Sequence, residues 1–177
     1  AIAGKLRVQL AAGRPLVKRY TEDLEAYDLI LKARHHLFKF TQESRERAGR
    51  YCEQAIAVDR NYTPAHVGLA EYYWASAIMG FMDPKEAFPK AKSAALEALK
   101  LDDTLAEAHS ALGTVLGMWD FDWLGAKREF QLALQLNPGS PIIHFEYAFY
   151  FLRPTGRIEE AMTESRRALE QDPLDPW

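Results

Sequence analysis

The chain has 177 residues, of which 48% are apolar and 27% charged, the composition of a folded domain with a real core and not of a disordered segment. The net charge of -3 gives no general argument for binding nucleic acid or an anionic membrane. No apolar run reaches the ~18 residues that a membrane span needs, and the single cysteine, Cys52, excludes an internal disulfide.

In chain order, residues 1–20 come first. "AIAGKLRVQLAAGRP" is too charged for a signal peptide and begins without Met, so the chain reads as a piece of a longer protein. Ile2, Leu6 and Leu10 lie near one helical face, which predicts a lead-in helix: a cap on the first helical pair, or the remnant of a preceding domain. From residue 21 on, apolar residues recur at helical spacing for about four turns and are then interrupted by short Asp/Asn/Pro clusters. No stretch sustains the alternation of a strand. The expectation is an all-helical chain of eight or nine helices. Asp83-Pro84, Thr63-Pro64 and Ser140-Pro141 read as an N-cap followed by Pro, Thr104-Leu105-Ala106-Glu107 as a capping box, and Gly156 as a break between helices.

The helices repeat. "AGRYCEQAIAVDR", "AKSAALEALKLDD", "AKREFQLALQLNP" and "AMTESRRALEQDP" start at Ala48, Ala91, Ala126 and Ala161, which are 43, 35 and 35 residues apart. Each has Ala again seven places on, at Ala55, Ala98, Ala133 and Ala168. Between them, "AHVGLAEYY", "AHSALGTVL" and "IHFEYAFYF" superimpose from Ala65, Ala108 and Ile143, with a small residue in the sixth place: Ala70, Gly113, Ala148. "DLILKARHH" from Asp28 is a weaker match, with Ala33 there. A helix–turn–helix period in the mid-thirties with fixed small residues signals a helical solenoid.

This pattern resembles the tetratricopeptide repeat. His109, Leu112-Gly113, Leu116, Ala126, Phe130, Ala133 and Pro138 carry most of that family's signature. In packing terms, Gly113, Ala126 and Ala133 allow close approach, and Leu112, Leu116 and Phe130 fill the space around it. The resemblance covers about residues 24–173 and implies a right-handed superhelical α-solenoid of four repeats over residues 21–177, at about 24–61, 62–104, 105–139 and 140–173. Ala95 and Ser165 replace the large aromatic of Phe130, so packing there depends on neighbours. "KRYTEDLEAYDLILKARHHLFKF" looks like the lead-in to such arrays at the C-terminal end of large bacterial signalling proteins, where they follow an adenylate-cyclase, winged-helix or protein-kinase module.

Candidate chemistry is sparse. His66, His109 and His144 share one repeat position and stand on the order of 10 Å apart in adjacent repeats, too far to gather on one metal. His35 and His36 are neighbours that point in different directions. No phosphate loop, nucleophile elbow or zinc motif is present. Cys52 reads as a packing thiol, Asn61-Tyr62-Thr63 as a chance glycosylation match, and Asp120, Asp122, Glu159 and Glu160 as solvated helix ends. No catalytic residue, cofactor or metal ligand is assigned.

The resemblance places a ligand on the concave face, lined by the first helix of each pair. Its outward places are Ile30 and Arg34, Val67 and Glu71, Ser110 and Thr114, and Phe145 and Phe149. The Lys and Asn with which some members clamp a C-terminal carboxylate are replaced by Ile30 and Arg34. The expected partner is a protein or peptide, within a cytoplasmic bacterial regulator, or outside the cytoplasm if a membrane span precedes. The alternative is a structural or oligomerising spacer of a cyclase-like or transcription-regulator protein. "HFEYAFYF" is too aromatic for a surface, so Tyr147, Phe151 or Leu169 is expected to be uncovered at the C-terminal end, favouring self-association there. Arg45, Arg47 and Arg50 fit a solvated outer helix better than a nucleic-acid site.

Overall fold

The computed structural model describes residues 20–37, 39 and 41–172. The expected lead-in helix over residues 1–20 lies outside them except for Tyr20, as does Pro173 with the residues after it. Among the described residues eight helices pack in sequential pairs: α1 (Leu24–Leu37) with α2 (Gln42–Val58), α3 (Thr63–Ile78) with α4 (Pro84–Leu101), α5 (Ala106–Met118) with α6 (Trp123–Leu136), and α7 (Pro141–Glu146) with α8 (Ile158–Gln171). The helix of α7 continues as a π-helical stretch, Tyr147–Leu152. The first helices also contact one another in a row, α1 on α3, α3 on α5, and α5 on α7 and its π-helical continuation.

Helix starts follow local chemistry, with two corrections. The Asp83 carboxylate accepts from Lys85 N–H at 2.9 Å with Pro84 in the first turn, and Ser140 Oγ accepts from Ile143 N–H at 3.4 Å. Thr63 is instead the first residue of α3, which Tyr62 precedes without a side-chain cap. Thr104 does not cap α5: its backbone N–H and hydroxyl both donate to Asp102, so no capping box forms and α5 begins one residue after Leu105. Gly156 breaks the chain with φ of 76°, a left-handed conformation that suits glycine.

The small residues do what close packing requires. A Cβ on Gly113 would stand 3.0 Å from the Phe130 ring, and Phe130, Ala126 and Ala133 are all fully buried. Ala95, in the place of Phe130, is also fully buried, and Phe88 stacks on Trp119 at 5.2 Å beside the same core. The other replacement, Ser165, is different: it borders a cavity.

The three repeated histidines are ties between repeats. Nε2 of His66, His109 and His144 donates to the carbonyl six residues earlier, in Arg60, Asp103 and Pro138, at 2.9, 2.8 and 3.0 Å. A carbonyl only accepts, so each Nε2 carries a proton. Nδ1 of His109 and His144 meets Glu129 and Glu164, each twenty residues on. His66 has no such mate in α4, where the aligned residue is Ala94.

Two further expectations hold in part. Tyr147 and Phe151 are covered: they stack at 5.4 Å and pack against Phe130. Of the three alternatives for an uncovered residue at this end, Leu169 is the exposed one. Arg47 and Arg50 do sit on a solvated face, paired with Glu43 and Glu46, but Arg45 is buried at 5% exposure.

Cys52 is fully buried, and burial pushes its thiol up to about 12. A thiol reagent at mildly alkaline pH is therefore expected to label the native chain only after denaturant is added. Labelling in buffer at the rate of a free thiol would contradict this placement.

Candidate concave binding site

The row of first helices lines a trough with two cavities. One, of about 470 Å³, is bordered by Ile30, Arg34, Val67 and Glu71 together with Tyr20, Tyr62, Leu105 and Glu107. The other, of about 550 Å³, is bordered by Phe145 and Phe149 with Arg45, Trp74, Ile78, Glu146, Tyr150, Ser165 and Leu169. Leu37 and Glu71 border both, so the cavities adjoin.

Six of the eight sequence-derived positions thus border a cavity. Ser110 and Thr114 border neither, because both are buried between helices. The Ser110 hydroxyl donates to Glu146 at 2.5 Å, and the Thr114 hydroxyl to the Ser110 carbonyl at 3.1 Å. At this point in the row the outward places are spent on packing α5 against its neighbours.

The second cavity contains residues that repeat spacing does not point to. Arg45 reaches it from α2, and among the described residues its Nε has no hydrogen-bond partner. Desolvation pulls the Arg45 pKa down, with Glu71 opposing that trend. Trp74 is buried, and among the described residues its indole Nε1 also lacks a partner. Tyr150 lies in the π-helical stretch and is buried at 9% exposure, while its neighbour Phe149 is 41% exposed. Phe145 and Phe149 stack at 5.5 Å, and the Arg153 guanidinium lies 4.6 Å from the Phe149 ring centre. Glu146 occupies the fourth place of its repeat, where the other repeats have Leu31, Gly68 and Ala111. A carboxylate in an apolar place is the one signal that the sequence offered here.

The electrostatics are unusual for a packed helical surface. Burial pushes the Glu146 carboxyl up to about 8, reinforced by the neighbouring charge of Glu71 and opposed by the Ser110 hydroxyl. Burial pushes Glu71 up to about 7, against the lowering pull of Arg34 and Arg45 and with Glu107 adding to the rise. Among the described residues, no group of three or more His, Cys, Asp or Glu side chains is placed to hold a metal ion.

Comparison with solved structures is decisive for the fold. A thermophilic tetratricopeptide-repeat protein of Thermus thermophilus, TTC0263, superposes with a TM-score of 0.68 over 97% of this chain and 90% of its own, at 23% identity. The fold is that of a tetratricopeptide-repeat domain. The tetratricopeptide protein YrrB, described as having an unusual peptide-binding site, matches with a TM-score of 0.51 over 84% of this chain and 69% of its own, at 24% identity. The first such domain of Spaghetti (RPAP3), solved with the HSP90 peptide SRMEEVD, matches with a TM-score of 0.54 over 86% of this chain and 97% of its own, at 18% identity. No family model matches the sequence. In sequence, this tetratricopeptide domain is 29% identical over 145 residues to the transcriptional regulator HilA of Salmonella typhimurium and, equally, to that of Salmonella typhi. Those residues are 82% of this chain and 26% of the relative. The chain therefore spans about a quarter of the length of the curated relatives that it matches. The similarity is to a transcriptional regulator, and the comparisons lend no support to an adenylate-cyclase parent.

Proposed function

We propose that this tetratricopeptide domain is the protein-interaction module of a larger bacterial transcriptional regulator, and that its concave trough binds a segment of a partner protein. It carries no chemistry of its own in this reading, and works in the cytoplasm. The four repeats over residues 21–177 are the binding unit. The observation that carries the proposal is the composition of the trough. An apolar wall of Trp74, Ile78, Phe145, Phe149 and Leu169 stands beside the charged side chains of Arg45, Glu71 and Glu146. A polypeptide supplies both the apolar side chains and the polar groups that such a lining accepts. The peptide bound to the RPAP3 domain supports the choice of ligand class, and the similarity to HilA supports the choice of parent.

The proposal is tested by selecting binders from a random dodecapeptide library displayed on phage, then measuring them against the double variant Phe145→Ala/Phe149→Ala. Each lost ring is expected to weaken binding by about 1–2 kcal/mol, so the double variant should bind at least about ten-fold more weakly. Unchanged affinity would place the ligand elsewhere and leave the trough a structural surface.

A further inference from the structure

We infer that the second cavity selects partner segments that carry a lysine or arginine side chain among apolar residues, the cation being held by Glu146 and Glu71. This rests on the trough being a binding site and names what it prefers.

The buried and half-buried carboxylates of the domain differ in their partners. Glu129 is buried and meets both His109 and Arg128. Glu164 meets both His144 and Arg167. Each of these second-helix carboxylates therefore has a cationic or cationisable partner. Glu146 is as buried as Glu129, yet among the described residues its one hydrogen-bond partner is the neutral Ser110 hydroxyl. The groups that bear on it are Glu71 from α3, Glu107 and Ser110 from α5, and its own neighbour Tyr150, whose phenol is pushed upward by burial and then by Glu146. Arg34 and Arg45 bear on Glu71, and Arg153 lies over Phe149. An unpaired buried carboxylate is costly. This one borders a cavity whose other walls are Trp74, Phe145, Phe149 and Leu169. A ligand that puts a cation beside Glu146 and apolar side chains against those walls complements both the charge and the surface.

Protonation adds a signature. A carboxyl held up to about 8 in the free domain must lose its proton to pair with a cation. Binding of a cationic segment therefore releases a proton and tightens as pH rises toward that value. Binding through apolar contacts alone does not change with pH in this way.

The test uses the whole chain and the same random dodecapeptide library, selected in parallel on the wild type and on Glu146→Gln. The expected result is enrichment of Lys or Arg at one place among apolar residues on the wild type, and loss of that enrichment but not of the apolar residues on Glu146→Gln. A selected peptide is then made with norleucine in place of its basic residue and titrated calorimetrically. Norleucine is expected to weaken binding to the wild type by about ten-fold or more near pH 8 and by less near pH 6.5, with no effect on Glu146→Gln. Selection of acidic peptides, equal affinity for the basic and norleucine forms, or a preference that survives Glu146→Gln would each overturn the inference. Apolar binders without any basic preference would leave the trough a binding site while removing the cation. A library that yields no binder on either chain would remove both.

Discussion

Phe130→Ala is expected to lower the unfolding free energy by about 3–5 kcal/mol, the usual cost of removing a ring from a closed core. Phe130 has no exposed surface. Its ring meets Gly113 across the pair at the closest approach that a Cβ would tolerate. It also lies 5.5 Å from Tyr147 and 6.3 Å from Phe151, ring centre to ring centre. Removing it therefore leaves a cavity where α5, α6 and the π-helical stretch meet, and neither the backbone at Gly113 nor the stacked Tyr147–Phe151 pair can simply close in. Urea unfolding followed by circular dichroism measures the effect. A loss of less than about 1 kcal/mol would mean that the site collapses around the deletion, against the close packing of these rings.

Glu146→Gln is expected to leave stability nearly unchanged near pH 5 and to raise it near pH 8, by on the order of 3 kcal/mol. The sign follows from the direction of the shift. The folded carboxyl is held up to about 8 from an ordinary value of 4.5. Between those values the folded chain holds a proton that the unfolded chain has released, so wild-type stability is full below the lower value and falls as pH rises through the higher one. Glutamine keeps an acceptor for the Ser110 hydroxyl and has no proton to lose. Glu71, pushed up to about 7, keeps part of the same slope in both chains, so the difference between them isolates Glu146. Unfolding free energies at several pH values measure it. Parallel curves for the two chains would show that Glu146 ionises as a solvated carboxylate does.

The solenoid was legible because its information is local and repeated. Ala, Gly and Phe at fixed places within each pair specify a helix–helix contact that needs no distant residue, and Gly113 against Phe130 is that contact realised. His109 is the plainest case. Its role is a hydrogen bond to a carbonyl six residues back, and it recurs at His66 and His144 because the turn before each first helix recurs. The trough was legible only in part. Ile30, Arg34, Val67, Glu71, Phe145 and Phe149 border it, but Ser110 and Thr114 are drawn into the contact with Glu146 and the turn above it.

What stayed hidden depends on how distant pairs meet. Arg45, in the second helix of the first pair, is buried and borders the same cavity as residues of α8 in the last. No spacing within a repeat encodes that meeting. Tyr150 occupies the place of Val115 and is buried like it, but the backbone there is a π-helix, Tyr147–Leu152, which the repeat spacing does not announce. Ser165 was noted as a missing aromatic, and the consequence is an opening that Ala95 does not leave, because Phe88 and Trp119 fill in beside Ala95.

The most direct test of the concave trough as the binding surface is an amide-resonance titration of the isotope-labelled chain with a library-selected peptide. Shifts are expected at Arg45, Glu71, Trp74, Glu146 and Phe149, all bordering the second cavity. Shifts confined to exposed residues away from the trough, such as Arg47, Leu96 and Leu124, would contradict the account.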